Sequence, residues 1–264
     1  MRGFYVGRDR MLTFPQWGGR LYAHAHDQGL IMSQLMQDGV FEVGLTNFLI
    51  KNLKPGNTFI DAGANIGYFT VLSGILVGEK GKVIAFEPSE ENLHVLKDNV
   101  GMNMLNPRTE IHNKAIYSEN TTLKFYVSEK WAGTNSINQH DEEYFKYFAN
   151  DTITEVEVQS TTLDETVKRI GKVDFIKIDI EGAEYHAFLG MMESLIERRV
   201  SSIIFELNQR MLGDYWDELK VLLNALQEKY GYTFHTVDDD GLLNQISLPQ
   251  LFSNAFIDAV IMTA

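Results

Sequence analysis

The chain has no cysteine. Disulfides, thiolate metal sites and cysteine nucleophiles are therefore excluded, and the absence fits the cytoplasm better than an oxidising compartment. No run of basic residues interrupts the acidic balance of Lys+Arg 23 against Asp+Glu 36, a formal net charge of -13. Sequence-independent nucleic-acid binding is not expected, because phosphate contacts need clustered Lys or Arg. No stretch reaches the length that crosses a bilayer, and "MRGFYVGRDRMLTF" scatters charge where a signal peptide would carry an apolar run. Internal repeats and low-complexity tracts are also lacking.

Hydrophobic residues make up 44% of the 264 positions, with Phe 16, Tyr 11 and Trp 3, enough for a sizeable core. That length favours one large α/β domain with a short N-terminal extension over two full domains. From residue 57 onward, short runs rich in Ile, Val and Phe alternate with amphipathic stretches, the pattern of a parallel sheet covered by helices. "TFIDAG", "KVIAFEP", "RTEIHNKAI", "VDFIKIDIEG" and "SSIIFELN" read as the first five strands of that sheet. Tyr68 to Val77, Glu90 to Met102 and Ala183 to Arg198 have helical spacing, and Thr162 with Glu165 matches a capping box. "YTFHTVD" and "AFIDAVIM" read as a hairpin at one edge, joined by a short irregular link. Region 118 to 160 breaks the rhythm: two half-exposed strands flank "WAGTNSINQHDEEYFKYFAND", an acceptor-side insertion or lid.

In open α/β sheets the first strand-to-helix turn is the usual ligand cradle, and "DAGANIG" occupies it. Gly63 and Gly67 allow close backbone approach, and Asn65 tolerates left-handed geometry. A dinucleotide fingerprint fails, because Asn65 and Tyr68 stand where two of its three glycines belong, and no Gly-Lys-Ser/Thr follows for a phosphate loop. Asp61 would repel a pyrophosphate and attract an ammonium. Glu87, 20 residues after Gly67, is placed to accept ribose hydroxyls. Two carboxylates so placed describe a cationic nucleoside, and S-adenosylmethionine has these groups.

"GVFEVGLTNFLIKNLKPGNTFIDAGANIGYFTVLSG", "VIAFEPSEENLHVLKDNV", "TTLDE" and "VDFIKIDIEGAEYHAFLG" together resemble the FkbM family of S-adenosylmethionine-dependent methyltransferases over roughly residues 25 to 210. The resemblance implies a class I methyltransferase fold, a Rossmann-like seven-stranded, mostly parallel sheet with helices on both faces and an antiparallel edge hairpin. It implies an O-methyltransferase acting on a sugar or polyketide hydroxyl. Residues 51–264 would form that domain, with residues 1–50 packing on the donor site. It further makes Asp61, Gly63, Ala64, Asn65 and Gly67 the donor turn, Glu87 the ribose ligand, Glu42 the residue closing over the methionine end, and Ala115 the adenine edge.

Methyl transfer to an alcohol requires that the attacking oxygen lose a proton, to a base or with help from a metal. The fourth strand ends Lys177-Ile-Asp179, and period-two geometry puts Lys177 and Asp179 on one face. The next strand ends Glu206-Leu-Asn208. Asp179, Glu206 and Asn208 are the ligand types for one hard cation such as Mg2+; alternatively Asp179 or Glu206 is a simple general base, or Asp179 is a structural partner of Lys177. Trp131, Asn135, Ser136 and Tyr144 are candidates for the acceptor face, although the aromatics equally suit packing onto the sheet edge. His24 and His26, two apart on a predicted strand, suggest a metal pair, but histidines so spaced more often share an exposed face.

The leading expectation is methyl transfer to a hydroxyl of a saccharide: a glycan end, a nucleotide sugar or a glycosylated metabolite, in the setting of polysaccharide biosynthesis or a larger glycan-assembly complex. An N-methyltransferase is the nearest alternative, although the Asn/Asp-Pro-Pro-Tyr signal of amine sites is absent. An NAD-dependent oxidoreductase and a non-catalytic S-adenosylmethionine-binding module follow.

Overall fold

The computed structural model describes residues 2–27 and 29–264. It opens with an antiparallel meander of β1 (Gly3–Gly7), β2 (Arg10–Thr13) and β3 (Leu21–His24), followed by helices α1 (Leu30–Gln37) and α2 (Val43–Asn52). The central layer then begins with β4 (Thr58–Ala62), α3 (Tyr68–Leu76), β5 (Lys82–Phe86), α4 (Glu90–Met102) and β6 (Thr109–His112). A small side sheet comprises β7 (Ala115–Ile116), β8 (Thr122–Ser128) and β9 (Ile153–Thr161). The chain returns to the central layer through β10 (Val173–Ile178), β11 (Val200–Asn208), β12 (Thr233–Val237), β13 (Leu243–Gln245) and β14 (Phe256–Thr263).

Among the described residues, the central sheet has eight strands in the order β13-β12-β14-β11-β10-β4-β5-β6. β4, β5, β6, β10 and β11 pair in parallel, and β14 runs antiparallel to both β11 and β12. This is the α/β sheet expected from the sequence, with one short strand more than the seven anticipated. The eighth, β13, comes from the segment read as an irregular link, which also folds one helical turn at Leu248–Leu251. Ser247 and Gln250 form a capping box there.

Alternation along the strands divides the apolar residues between two cores. Ile60, Ile176, Ile203 and Phe205 face one side with Phe188 and Trp216, whereas Phe59, Phe175 and Ile204 face the other with Phe48 and Leu72. Strands buried on both faces have little room for polar residues until their carboxyl ends, where the helix layer opens. Each fully buried Phe, Ile or Leu contributes about 1.5–3 kcal/mol of transfer free energy. The site therefore sits on a stiff platform.

Three local readings change. The helix expected over 183–198 is two shorter ones, Glu184–Leu189 and Met192–Ile196. The break falls where the backbone crosses Tyr117, so close that a Cβ on Gly190 would lie 2.3 Å from the Tyr117 carbonyl oxygen. The third strand ends at His112, and Ala115–Ile116 leaves the central sheet to pair with β9. Thr162 accepts the Glu165 N–H, but the Glu165 carboxylate turns to Asn120 and Thr161, so the capping box is half made. Among the described residues, no helix is long and apolar enough to cross a membrane.

Candidate active site

A cavity of about 710 Å³ opens at the carboxyl ends of β4, β5, β10 and β11. Its floor is the turn after β4. Gly63 there has φ +81°, and a Cβ would lie 1.8 Å from the Asp179 carbonyl oxygen. No side chain fits, and the left-handed geometry disfavours one anyway. The Gly63 and Ala64 N–H groups both donate to the Phe86 carbonyl, which fixes the turn against β5. Gly67, at φ +90°, starts α3, and a Cβ on it would strike Leu96.

Glu87, just past the end of β5, is 4% exposed. It accepts the Asn65 N–H at 2.8 Å and the Ser89 N–H at 2.9 Å. Burial pushes its carboxyl up to about 7, although these N–H donors pull the other way. Ala64, Asn65, Ala115 and Ile116 line the same end of the cavity, with Phe86 and Pro88 beside them.

Asp61 is placed differently from the expectation. It lies beneath the turn, 1% exposed and off the cavity wall, where Oδ2 accepts the Thr70 hydroxyl at 2.5 Å. Its Oδ1 is buried with no hydrogen-bond partner among the described residues. Burial raises its carboxyl, and Lys177 opposes that rise. Asp61 thus acts on the site through Lys177; Gly67 likewise supports the cavity without lining it.

Lys177, at the end of β10, is the cation around which the acids gather. It is 3% exposed, donates to Asp179 Oδ2 at 2.8 Å and lies 5.1 Å from the Phe69 ring centroid. Burial alone would lower the ammonium, but Asp179, Asp61 and Glu42 outweigh it and raise it overall. Glu42 reaches the cavity from the start of α2, with φ +43°. Burial pushes it up to about 8, against the pull of Lys177.

One oxygen each of Asp179, Glu181 and Glu206 lies within 4.8 Å of the others, and all three residues line the cavity. Glu181 was not anticipated as a site residue. Extending the period-two rule two residues past Asp179 would have found it, since 177, 179 and 181 share parity. Its φ of +53° shows that a left-handed turn, rather than a continued strand, aims it. Burial, and then Glu181 and Asp179, raise the Glu206 carboxyl well above its ordinary range. Glu206 Oε2 has no hydrogen-bond partner among the described residues. Asn208 does not join this group: its Oδ1 accepts the Met211 N–H at 3.3 Å and caps the helix Gln209–Leu212. Asp258, on β14, also lines the wall; its segment reads as an edge strand in the sequence, with no site role attached to it.

The lid divides the acceptor candidates. Trp131 and Asn135 line the cavity; the Trp131 Nε1 is buried and has no partner among the described residues, and Asn135 Oδ1 holds the Ser128 N–H at 2.9 Å. Ser136 lies off the wall, fully buried, and its hydroxyl donates to the Glu181 carbonyl at 2.6 Å, tying the lid to the carboxylate turn. Tyr144 is also off the wall. Its hydroxyl donates to Asp151 at 2.6 Å and its ring packs on Phe148 and His140, so it holds the lid together and faces no acceptor. Residues Gly29 to Val43 of the N-terminal part contribute Ile31, Gln34 and Phe41 to the opposite wall.

Among the described residues, eight acidic ones line one space: Glu42, Glu87, Asp179, Glu181, Glu206 and Asp258, with Asp38 and Asp239 besides. Lys177 and Lys114 are the lysines on the same wall, and Lys177 is committed to Asp179. The cavity suits a ligand with positive charge and a flat apolar part.

Residues 61–234, more than half of the chain, match the methyltransferase FkbM domain. The chain is 25% identical over 208 residues to the methyltransferase sdnD of Sordaria araneosa, covering 69% of this chain and 76% of that one. A stretch of 63 residues, 24% of this chain and 33% of the other, is 42% identical to a probable cobalt-precorrin-6B C(15)-methyltransferase (decarboxylating) of Sulfurisphaera tokodaii. Among solved structures, the FkbM methyltransferase of Methylobacillus flagellatus KT superposes with a TM-score of 0.47 at 16% identity, over 78% of this chain. This chain spans 43% of that protein's length.

Proposed function

The chain belongs to the FkbM methyltransferase family, and from that premise we propose that it transfers a methyl group from S-adenosylmethionine to an uncharged hydroxyl, most simply that of a saccharide. The observation that carries the reading is the distribution of charge around the cavity: carboxylates at both ends, an apolar wall at one end, and a glycine floor that admits no side chain.

The residues present fit this donor. Phe86, Pro88, Ala115 and Ile116 would flank the adenine, Glu87 would accept ribose hydroxyls, and Glu42 with Asp179 would face the ammonium of the methionine end. When bound, the donor supplies an electrophilic methyl on a cationic sulfur. Around it the chain orients and takes up a proton. Glu206 is the better placed base. Asp179 is held as the partner of Lys177, whereas Glu206 has a free oxygen and a raised proton affinity. The donor would supply the methyl group to the acceptor oxygen, and Glu206 would take the hydroxyl proton that this oxygen gives up. The same acidic wall disfavours phosphorylated acceptors, so a neutral sugar is favoured over a nucleotide sugar.

Glu206→Gln is expected to lower kcat by roughly 10²–10⁴, the usual worth of a general base, while calorimetric donor affinity stays within about threefold. Turnover near that of the unaltered chain would remove the base assignment. The reaction class is tested by following labelled methyl into a panel of neutral glycans and nucleotide sugars, with and without a chelator. Label in neutral sugars alone supports the reading; label in an amine instead would transfer it to the N-methyltransferase alternative. Loss of label on chelation that Mg2+ restores and Zn2+ does not would assign Asp179, Glu181 and Glu206 to a hard cation.

Donor affinity should also depend on pH through Glu87. Only the ionised carboxylate accepts two ribose hydroxyls, and burial places its proton loss at about 7. Affinity should therefore climb as pH rises through that value and level off above it. Titrations from about pH 5.5 to 8.5 should show this slope in the unaltered chain and a shallower one in Glu87→Gln, where Glu42, pushed up to about 8, still titrates. An identical slope in the variant would show that another group is responsible.

A further inference from the structure

Away from the cavity, the N-terminal meander gathers a second set of ligating side chains. Asp9 comes from the β1–β2 turn, His24 from the end of β3 and His26 from the bend that follows. One ligand-type atom of each lies within 4.8 Å of the other two. His26 Nδ1 is in contact with Asp9 Oδ2. Glu91, in the first turn of α4, adds a second carboxylate: its Oε1 is 3.7 Å from His24 Nδ1 and 3.7 Å from His26 Nε2. Arg10 pairs across the strand from His24 but is drawn aside to Asp98 at 3.5 Å.

Two imidazoles and two carboxylates converging from separate segments make a donor set for a divalent transition ion of the zinc class, for which nitrogen and oxygen ligands at about 2.0–2.2 Å in tetrahedral array are usual. A second, independent feature points the same way. His24 is 4% exposed, and its far nitrogen, Nε2, lies 3.3 Å from Asn92 Oδ1. That is the outer contact a ligating histidine needs to fix its ring. Asn92 is itself 2% exposed, lines the cavity, and is near enough to Glu87 for its side chain to pull that carboxyl down. A metal on His24 Nδ1 forces the proton onto Nε2. That proton turns the Asn92 oxygen toward the imidazole and its NH2 toward Glu87.

We propose that Asp9, His24 and His26, with Glu91, bind one divalent transition-metal ion, and that this ion locks the His24–Asn92–Glu87 chain at the ribose end of the cavity. The site is separate from the Asp179–Glu181–Glu206 group and takes no part in the transfer itself. Its effect on the donor rests on the function proposed above; the binding of metal does not.

Cobalt is the probe for the first half, because its visible bands report coordination directly. The full chain, stripped with a chelator and titrated with Co2+, should take up one ion with absorption typical of nitrogen and oxygen ligands. His26→Ala and Asp9→Asn alter half-exposed side chains, 37% and 47%, and so should leave folding intact. Each should weaken cobalt binding by about tenfold or more. Glu181→Gln, in the cavity, should not change it. The site is overturned by an absence of saturable binding, by binding indifferent to His26→Ala, or by binding that Glu181→Gln abolishes. For the second half, S-adenosylmethionine affinity is measured with and without Zn2+. It should be severalfold tighter with zinc in the unaltered chain and equal in His26→Ala. Equal affinities in the unaltered chain overturn the locking role. Absence of any donor binding, with or without zinc, would instead sink the donor reading and leave the cobalt titration to decide the metal site.

Discussion

Lys177→Met should destabilise the protein by about 3–5 kcal/mol, the usual cost of removing one partner from a buried ion pair. Methionine keeps the length of the stem and its packing on Phe69, so the loss reports charge more than volume. In the unaltered chain the ammonium serves Asp179 directly and Asp61 and Glu42 through space. Without it, carboxylates in a shielded space face one another with no counter-charge.

The pH dependence of that loss identifies its origin. Acids left uncompensated take up protons more readily in the folded chain than in the unfolded one, so between about pH 8 and 5 the folded state binds more protons. Stability of Lys177→Met should then rise as pH falls across that window, and rise more steeply than in the unaltered chain. Chemical denaturation at several pH values measures this. A loss that stays constant with pH would mean that Lys177 acts through packing. A loss below about 1 kcal/mol, the range of a surface pair, would mean that water screens the cluster far more than its burial implies.

Gly63→Ala should abolish measurable donor binding. The added methyl would stand 1.8 Å from the Asp179 carbonyl oxygen, and the residue is at φ +81°. The left-handed conformation alone costs a non-glycine residue about 1–2 kcal/mol, and the overlap must be relieved by moving either the β4 turn or the end of β10. Both carry the proposed site. A shift near 1 Å in positioning groups is worth about a hundredfold, and calorimetry on Gly63→Ala should show at least that loss, together with a lower melting temperature. Gly56→Ala is the matched control: its φ is +93° and a Cβ there meets nothing within 4 Å. It should share the backbone cost and keep donor affinity. If the two variants bind alike, the turn after β4 does not cradle the donor.

Much of the sheet was legible in the residues because its strands are buried on both faces. Runs such as "FIKI" and "IIF" leave no solvent-facing positions to blur the pattern. The eighth strand was not legible: Leu243–Gln245 is exposed throughout and short, so no periodicity marks it. The meander β1–β2 was missed for the same reason, as its residues are mostly exposed or half-buried. The split at Gly190 depends on the carbonyl of Tyr117, a residue 73 positions earlier, which local spacing cannot report.

The α/β layer order, the glycine turn after the first central strand, the acid after the second and the acids near the ends of the fourth and fifth are all written in the residues. These follow from local rules, because strand alternation and turn chemistry act over a few residues. Which acids share a space came from packing. It withdrew Asp61 beneath the floor, turned Asn208 to a helix cap and Tyr144 into the lid, and brought in Glu181, Asp258 and the Asp9–His24–His26 group. Charge interactions of that kind depend on distances between strands and on exclusion of water, and both are set by how the layers pack.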